Sequence, residues 1–324
     1  MNLKLTSDCG RRDFRTPCLP LLVAILLAAA SAPAQIKPLS HRDTKPKAVP
    51  DQPGVVKLWV VAIGRPHSLI VDLTQKDFHI YQDGHEQEII YFSSQPREPL
   101  RLGVLLDVSQ GRPVEIPDAL EWPPISRWLR GLLGKDDRAF VATFNDQVSL
   151  LCPWTAKPDE LDDALRRAFG KDPDGPSKLY DAIYEVCEER FSSEPGRKAL
   201  IVLSDSTDFY SGRSQLEALE MAHRTDTILY PVLPWEGTLT APLFKNVDFA
   251  QVFANDTGGF FYFVVKSGDL EKDLNAIGIF LSHVYELAYR PDVSPDGRYH
   301  KIKVTCKRPG VKLYTREGYY APQK

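Results

Sequence analysis

From residue 102 onward, the sequence alternates short apolar runs with segments of helical spacing, and this alternation limits the folds open to the chain. The apolar or β-branched runs lie at 102–106, 138–144, 148–151, 199–203, 227–233 and 260–265. The helical segments lie at 125–133, 159–169, 179–191, 215–223, 249–256 and 269–281. Continuous apolar runs are typical of strands buried on both faces. Strands that alternate with helices predict an α/β domain with a doubly wound, mostly parallel sheet.

Two acidic residues stand just past the carboxyl ends of predicted strands. Asp107 follows the run 102–106, and Asp205 follows the run 199–203 and Ser204. The carboxyl ends of parallel strands form the edge at which open α/β sheets bind ligands. Two carboxylates and the hydroxyl of Ser109 at that edge suggest a site for a hard cation.

Two β-rich segments flank the α/β unit, which we place at 100–283. In the first, 55–97, the runs 78–81 and 88–92 around Asp83 and Gly84 predict a β-hairpin. In the second, 284–324, we predict strands at 284–289, 300–306 and 311–314, with Asp296 and Gly297 turning the first pair. Neither segment is long enough to bury a core alone. We therefore expect the two to pack together as one small β domain that flanks the α/β unit or contains it as an insertion.

The N-terminal 34 residues have the pattern of a signal peptide. A positive region is followed by an apolar stretch, 19–30, that is short for a membrane span, and by a small-residue cleavage site at Ala32-Pro33-Ala34. We predict an exported protein, periplasmic, secreted or on the cell surface, with no transmembrane span after cleavage. The arginine pair Arg11-Arg12 leaves the Sec and twin-arginine routes both open. Residues 35–54 are rich in Pro, Lys and Asp and predict a linker.

The loops after the predicted strands resemble those of the von Willebrand factor type A family. The metal-ion-dependent adhesion site of that family reads Asp-x-Ser-x-Ser on one loop, Thr on a second and Asp on a third. Asp107 and Ser109 match the first Asp and Ser, and Asp205 matches the last Asp. Gly111 stands where the second Ser is expected, and Ser177 stands where the Thr is expected.

The flanking segments extend the resemblance to most of the chain. Residues 77–84 and 316–322 are similar to segments of VWFA-related proteins found largely in Acidobacteria, so that the resemblance covers roughly 55–322. It implies a protein-interaction module in which Mg²⁺ or Mn²⁺ binds Asp107, Ser109, Ser177 and Asp205. A carboxylate from a partner protein would complete the coordination, and a water could replace the hydroxyl that Gly111 lacks.

Four further residues are candidates for contact with that partner: Gln110, Gly111, Trp122 and Asp208. Asp208 has two other possible roles, because it could hold its own loop in place or support the metal ligands. The alternative to a metal site is a scaffold that has lost its ion and interacts through its β domain. In that case Asp107 would cap a helix start or bind backbone amides.

Several function classes find little support in the sequence. It contains no His-Glu-x-x-His, Gly-x-Ser-x-Gly or phosphate-binding glycine pattern, so we predict a non-enzymatic protein. A hydrolase built on Ser204-Asp205-Ser206 remains as an alternative. The net charge of −3, without a basic stripe, argues against nucleic acid. Three cysteines remain after signal cleavage, at positions 152, 187 and 306, and their spacing fits neither a zinc site nor a disulfide framework.

Overall fold

The computed structural model describes residues 54–65, 68–96, 98–110, 122–234, 244–265, 268–292 and 296–322, and for 244–248 only the backbone. The predicted signal peptide, nearly all of the linker, and Gly111 lie outside these residues. None of the described helices is both long and apolar enough to cross a membrane.

Fourteen strands and six α-helices make up the described part of the chain. The strands are β1 (Val56–Ile63), β2 (Phe78–Gln82), β3 (His85–Gln87), β4 (Ile89–Ser93), β5 (Leu100–Asp107), β6 (Arg138–Phe144), β7 (Val148–Thr155), β8 (Arg197–Leu203), β9 (Thr227–Pro234), β10 (Tyr262–Val264), β11 (Tyr285–Tyr289), β12 (Tyr299–Cys306), β13 (Lys312–Tyr314) and β14 (Gly318–Tyr320). The helices are α1 (Trp122–Leu132), α2 (Pro158–Phe169), α3 (Leu179–Val186), α4 (Gln215–Arg224), α5 (Phe244–Thr257) and α6 (Asp269–Ser282).

The central sheet has the order β10-β9-β8-β5-β6-β7. Neighbouring strands are parallel except for β6 and β7, which form an antiparallel hairpin. Counted from β5 as the first strand, the order from one edge to the other is 3-2-1-4-5-6, which is a doubly wound order. The predicted fold class is confirmed.

Helices cover both faces of this sheet, and each face has its own core. Along β5, Leu102 and Val104 enter the first core, while Leu105 enters the second, as the alternation of a strand requires. Helices α1, α2 and α6 supply the first core, and α3, α4 and α5 supply the second. Trp128 is a buried member of the first core, in agreement with a packing role.

Two four-stranded sheets join the two β-rich segments. Their strand orders are β13-β1-β11-β4 and β14-β12-β2-β3. Strand β1 pairs with β11, and β2 pairs with β12, so that each sheet contains strands from both segments. Side chains from the two sheets share one core, which includes Leu58, Ile80, Leu287 and Ile302.

Two predicted pairings within the β-rich segments are wrong. The turn at Asp83 and Gly84 joins β2 to the short strand β3, whereas β4 leaves the hairpin and pairs with β11 in the other sheet. Strands β11 and β12 also lie in different sheets, so Asp296 and Gly297 do not turn a hairpin. The physical reason is that apolar alternation indicates a strand without identifying its partner, which long-range packing chooses.

A buried carboxyl group on β11 makes stability depend on pH. Glu286 is 2% exposed, and one of its oxygens lacks a hydrogen bond. Burial and the charge of Glu98 raise its pKa to about 7, although Lys57 and Arg197 act in the opposite direction. The folded state therefore binds this proton more tightly than the unfolded chain does. Stability falls as the pH rises from the ordinary pKa of a glutamate to that of Glu286.

We expect Glu286→Gln to raise the free energy of unfolding at about pH 8 by on the order of 1–3 kcal/mol, and to change it little at about pH 5. Denaturant unfolding at both pH values measures the difference. Glu88→Gln, at an exposed position, serves as the control and should change neither value. Equal stability of Glu286→Gln and the unmodified chain at both pH values would contradict a raised pKa of Glu286 in the folded protein.

Candidate functional site

The candidate site lies at the point where the strand order of the central sheet reverses. Strands β5 and β8 are neighbours there, and the chain leaves them toward opposite sides of the sheet. Asp107 is the last residue of β5, and Ser204 and Asp205 directly follow β8. Doubly wound sheets open a crevice at this position and bind ligands in it.

Asp107 is the centre of a hydrogen-bond network that joins the loops. Its carboxylate is 5% exposed. Oδ1 accepts hydrogen bonds from the amide and the hydroxyl of Ser109, at 2.9 and 2.6 Å. Oδ2 accepts one from the hydroxyl of Ser204 at 2.7 Å. Burial raises the pKa of Asp107, and the charge of Asp205 acts in the same direction. The hydrogen bonds from Ser109 and Ser204 act in the opposite direction, but the pKa remains above its ordinary value.

Ser177 and Asp205 come to the same place from the other two loops. The hydroxyl of Ser177 lies 3.4 Å from Oδ2 of Asp107, and it donates a shorter bond of 2.8 Å to the carbonyl oxygen of Thr207. Asp205 is partly exposed, and its Oδ1 accepts a bond from the amide of Thr207 at 2.8 Å. Of the residues predicted as metal ligands, Ser109 and Ser177 thus contact Asp107, and Asp205 directly follows Ser204, which contacts Asp107 as well.

Ser204 also belongs to this network, and we did not predict this role from the sequence. Its hydroxyl donates to Asp107 and accepts a bond from the amide of Ser206 at 3.0 Å. Ser206 adopts a left-handed conformation, with φ of 60°, which is uncommon for a residue other than glycine. The only sign of this role in the sequence is the position of the hydroxyl, directly after a buried strand and directly before the predicted ligand Asp205.

The candidates for partner contact have different surroundings. Gln110 is exposed, and its backbone amide donates a hydrogen bond to the carbonyl oxygen of Gly175 at 2.7 Å. Trp122 is half-buried against the first core, with the guanidinium of Arg166 over its ring at 5.7 Å. Asp208 is also half-buried and accepts hydrogen bonds at the start of α3, as described below. Of these three described side chains, that of Gln110 is the most accessible.

The donor chemistry fits a hard cation. The four proposed ligands offer carboxylate and hydroxyl oxygens, which Mg²⁺ and Mn²⁺ prefer over nitrogen or sulfur. Among the residues with described side chains, no group of three or more His, Cys, Asp or Glu is arranged to hold a metal ion. A site made of two carboxylates and two hydroxyls is a different kind of centre. It has less protein charge, which predicts weak binding of the ion by the chain alone.

The network around Asp107 predicts that the side chain of Ser204 stabilises the protein. Ser204→Ala removes a buried donor to Asp107 and the acceptor for the amide of Ser206. We expect the free energy of unfolding to fall by roughly 1–3 kcal/mol. Denaturant unfolding measures this, with Ser149→Ala, at an exposed position of β7, as the control. Equal stability of the two variants would mean that Ser204 does not hold the loops together.

Comparison with known proteins adds information about the fold. No protein-family model and no curated protein matches the chain. Among solved structures, an aerotolerance-related membrane protein from Bacteroides fragilis, with multiple mutations to serines, is 14% identical, with a TM-score of 0.43, over 56% of this chain and 98% of that one. The conserved hypothetical protein BatB from Bacteroides thetaiotaomicron is 17% identical, with a TM-score of 0.45, over 56% and 97%.

A third solved structure is proximal thread matrix protein 1 from the mussel byssus, with a zinc-occupied MIDAS motif. It is 13% identical, with a TM-score of 0.46, over 62% of this chain, which spans about half of that protein (49%). Identities this low concern the path of the chain and not its activity. The order of β5 to β10, with one antiparallel edge strand and the site loops at the switch point, is that of a doubly wound α/β sheet.

Proposed function

We propose that the chain is an exported, non-enzymatic protein-interaction module that binds Mg²⁺ or Mn²⁺ through Asp107, Ser109, Ser177 and Asp205. The observation that carries this proposal is the convergence of three loops on Asp107 at the switch point of the sheet. Hydroxyls from all three loops lie within 3.4 Å of its carboxylate oxygens. A partner protein would supply a further carboxylate and complete the coordination.

Each residue has a distinct part in this proposal. Asp107 supplies the principal charge, and its burial makes a cation a favourable partner, because the ion would stabilise the charged form that burial disfavours. Ser109 and Ser177 supply hydroxyl oxygens, and Asp205 adds a second carboxylate. Ser204 holds the carboxylate of Asp107 in position. The ion would supply a positive charge and open coordination positions for the partner.

Metal and partner should bind cooperatively. With few protein ligands, the ion binds the free chain weakly, and a carboxylate from the partner adds both charge and a ligand. The partner therefore raises the affinity for the ion, and the ion raises the affinity for the partner by the same factor.

Burial of the serine hydroxyls supports a non-enzymatic role over the hydrolase alternative. A nucleophilic serine needs a base beside it and access for the substrate. Ser204 and Ser206 are 3% and 6% exposed, and the hydroxyl of Ser204 is engaged with Asp107. A hydrolase on the Ser204-Asp205-Ser206 segment would need these groups to open.

A metal-free scaffold is the second candidate function. The observation in its favour is that the hydrogen bonds from Ser109 and Ser204 already engage both oxygens of Asp107. In that case the network would be purely structural, and a partner would bind the β sheets formed by the two flanking segments.

Calorimetric titration of Mn²⁺ into the mature chain decides between the two. We expect weak binding, with a dissociation constant on the order of 10⁻⁴–10⁻³ M, by analogy with weak oxygen-ligand sites. Asp107→Asn keeps the shape of the side chain and removes its charge, and it should abolish the binding. Asp159→Asn is the control, because α2 begins where the antiparallel strand β7 ends, at the opposite edge of the sheet. Identical heats for the unmodified chain and Asp107→Asn would support the metal-free scaffold.

Export is tested separately, on protein from the producing cell. N-terminal sequencing should begin at or near Gln35, because the small residues Ala32 and Ala34 define the predicted cleavage site. Changing both Arg11 and Arg12 to Lys should block export if the route is twin-arginine, and unchanged export would identify the Sec route. An intact Met1 on cytoplasmic protein would contradict export.

A further inference from the structure

The loop that follows Asp205, together with the first turn of α4, presents three large apolar side chains to solvent. Phe209, Tyr210 and Leu216 are 69%, 67% and 66% exposed, the three highest values among the large hydrophobic residues whose side chains the structure describes. All three lie within eight residues of sequence. The rings of Phe209 and Tyr210 are adjacent, with centroids 6.3 Å apart. Clustered exposed aromatic residues are characteristic of surfaces that bind another protein.

Hydrogen bonds hold this loop firmly at the start of α3. Asp208 accepts a bond from the amide of Tyr180 at 3.2 Å, and the hydroxyl of Ser211 accepts one from the amide of Asp181 at 3.1 Å. In return, the carboxylate of Asp181 accepts bonds from the amides of Gly212 and Arg213, both at 2.9 Å. The amide of Phe209 is also bonded, to the carbonyl oxygen of Ser177 at 3.3 Å.

These bonds have a consequence for binding. Each end of the loop is fixed by side chains that satisfy backbone groups of the other element, so that the backbone that carries the two aromatic residues is held in one arrangement. A partner that covers them loses little conformational entropy in ordering the loop, which favours affinity.

Arg213, three residues after Tyr210 in the same loop, adds a positive charge. Its guanidinium lies 3.4 Å from the centroid of the Tyr184 ring, on which it is stacked, and the residue is exposed. Among the residues that the structure describes, no carboxylate lies within 4.0 Å of its nitrogens. A guanidinium that is already oriented by stacking can pair with a carboxylate in a bidentate manner at little further cost.

We propose that Phe209, Tyr210, Leu216 and Arg213 form a docking surface for a peptide segment of another protein that carries a carboxylate beside a large apolar side chain. The apolar side chain covers the rings of Phe209 and Tyr210, and the carboxylate pairs with Arg213. This inference rests on the proposed function in one respect. The surface adjoins the loop of Asp205, so the docked segment belongs to the partner that would complete the metal site.

The aromatic rings should carry most of the binding energy. Burial of two exposed rings in a well-packed contact is the type of interaction that dominates protein interfaces, and its loss typically weakens binding by at least about tenfold. Pairing of Arg213 with a carboxylate selects acidic segments over basic ones. The charges of Asp205 and Asp208 on the same loop disfavour an acidic segment in the absence of the metal ion.

The test uses a displayed library of random peptides, selected on the full mature chain in Mn²⁺. Enriched sequences should pair Asp or Glu with Phe, Tyr, Trp, Leu or Ile. A synthetic peptide of the consensus sequence is then titrated by fluorescence anisotropy. Affinity should fall at least about tenfold for the double variant Phe209→Ser, Tyr210→Ser and, separately, for Arg213→Gln. Val71→Ser, at another exposed apolar position, and Arg127→Gln, at another exposed arginine, are the controls and should bind as the unmodified chain does.

Metal dependence separates failure of this inference from failure of the proposed function. A peptide that binds equally in EDTA and to Asp107→Asn, but is lost with the double variant, would support the docking surface and contradict the metal site. A peptide that needs Mn²⁺ and Asp107, but binds the double variant unchanged, would support the metal site and overturn the docking surface.

Three other results would also overturn the inference. They are the absence of any enriched acidic and apolar consensus, self-association of the chain that the double variant abolishes, and sedimentation with anionic phosphatidylserine vesicles that the double variant abolishes. The second result would identify another copy of the chain as the occupant, and the third would identify a membrane surface. Because the side chains of Phe209, Tyr210, Arg213, Val71 and Arg127 are exposed, thermal unfolding of the variants at these positions should match that of the unmodified chain.

Discussion

The buried carboxylate of Asp107 is the interaction on which the rest of the site depends. A carboxylate with 5% exposure costs free energy unless hydrogen bonds or a cation offset the loss of water. The chain meets that cost with hydroxyls from separate loops, and these loops are then held together through one residue. A single electrostatic requirement therefore organises the edge of the sheet at which we propose that a cation and a partner bind.

Hydrogen bonds within the protein already hold the loops around Asp107 together. Ser204 takes part in this network, and its bond to Asp107, at 2.7 Å, is shorter than the 3.4 Å contact of Ser177. The loops thus have a structural reason to stay assembled that does not depend on a bound ion. Ser204→Ala therefore tests the structural part of the network, whereas Asp107→Asn affects both the network and the proposed ion binding.

Much of the α/β unit could be predicted from the sequence, because buried parallel strands and amphipathic helices leave strong local patterns. Apolar runs identified β5 and β8, and the positions just after them identified Asp107 and Asp205. The role of Ser204 was not predicted because a serine after a strand has no distinctive pattern. Its role exists only once β5 and β8 are neighbours. The pairing of β4 with β11 was not predicted for a related reason, since it joins residues nearly two hundred positions apart. Patterns of alternation identify strands, while partners are chosen by the whole core.

The pairing of β1 with β11 and of β2 with β12 has a consequence for how the chain acquires its structure. Paired strands of the central sheet lie at most about a hundred residues apart in the sequence, whereas the two smaller sheets close only when β11 and β12 have been made. During synthesis, β1, β2 and β4 therefore keep at least one unpaired edge until β11 and β12 have emerged, and contacts of such long range form slowly. Of the sheets that the structure describes, the two smaller ones are completed last, and their early strands are the point at which premature association with other chains would begin.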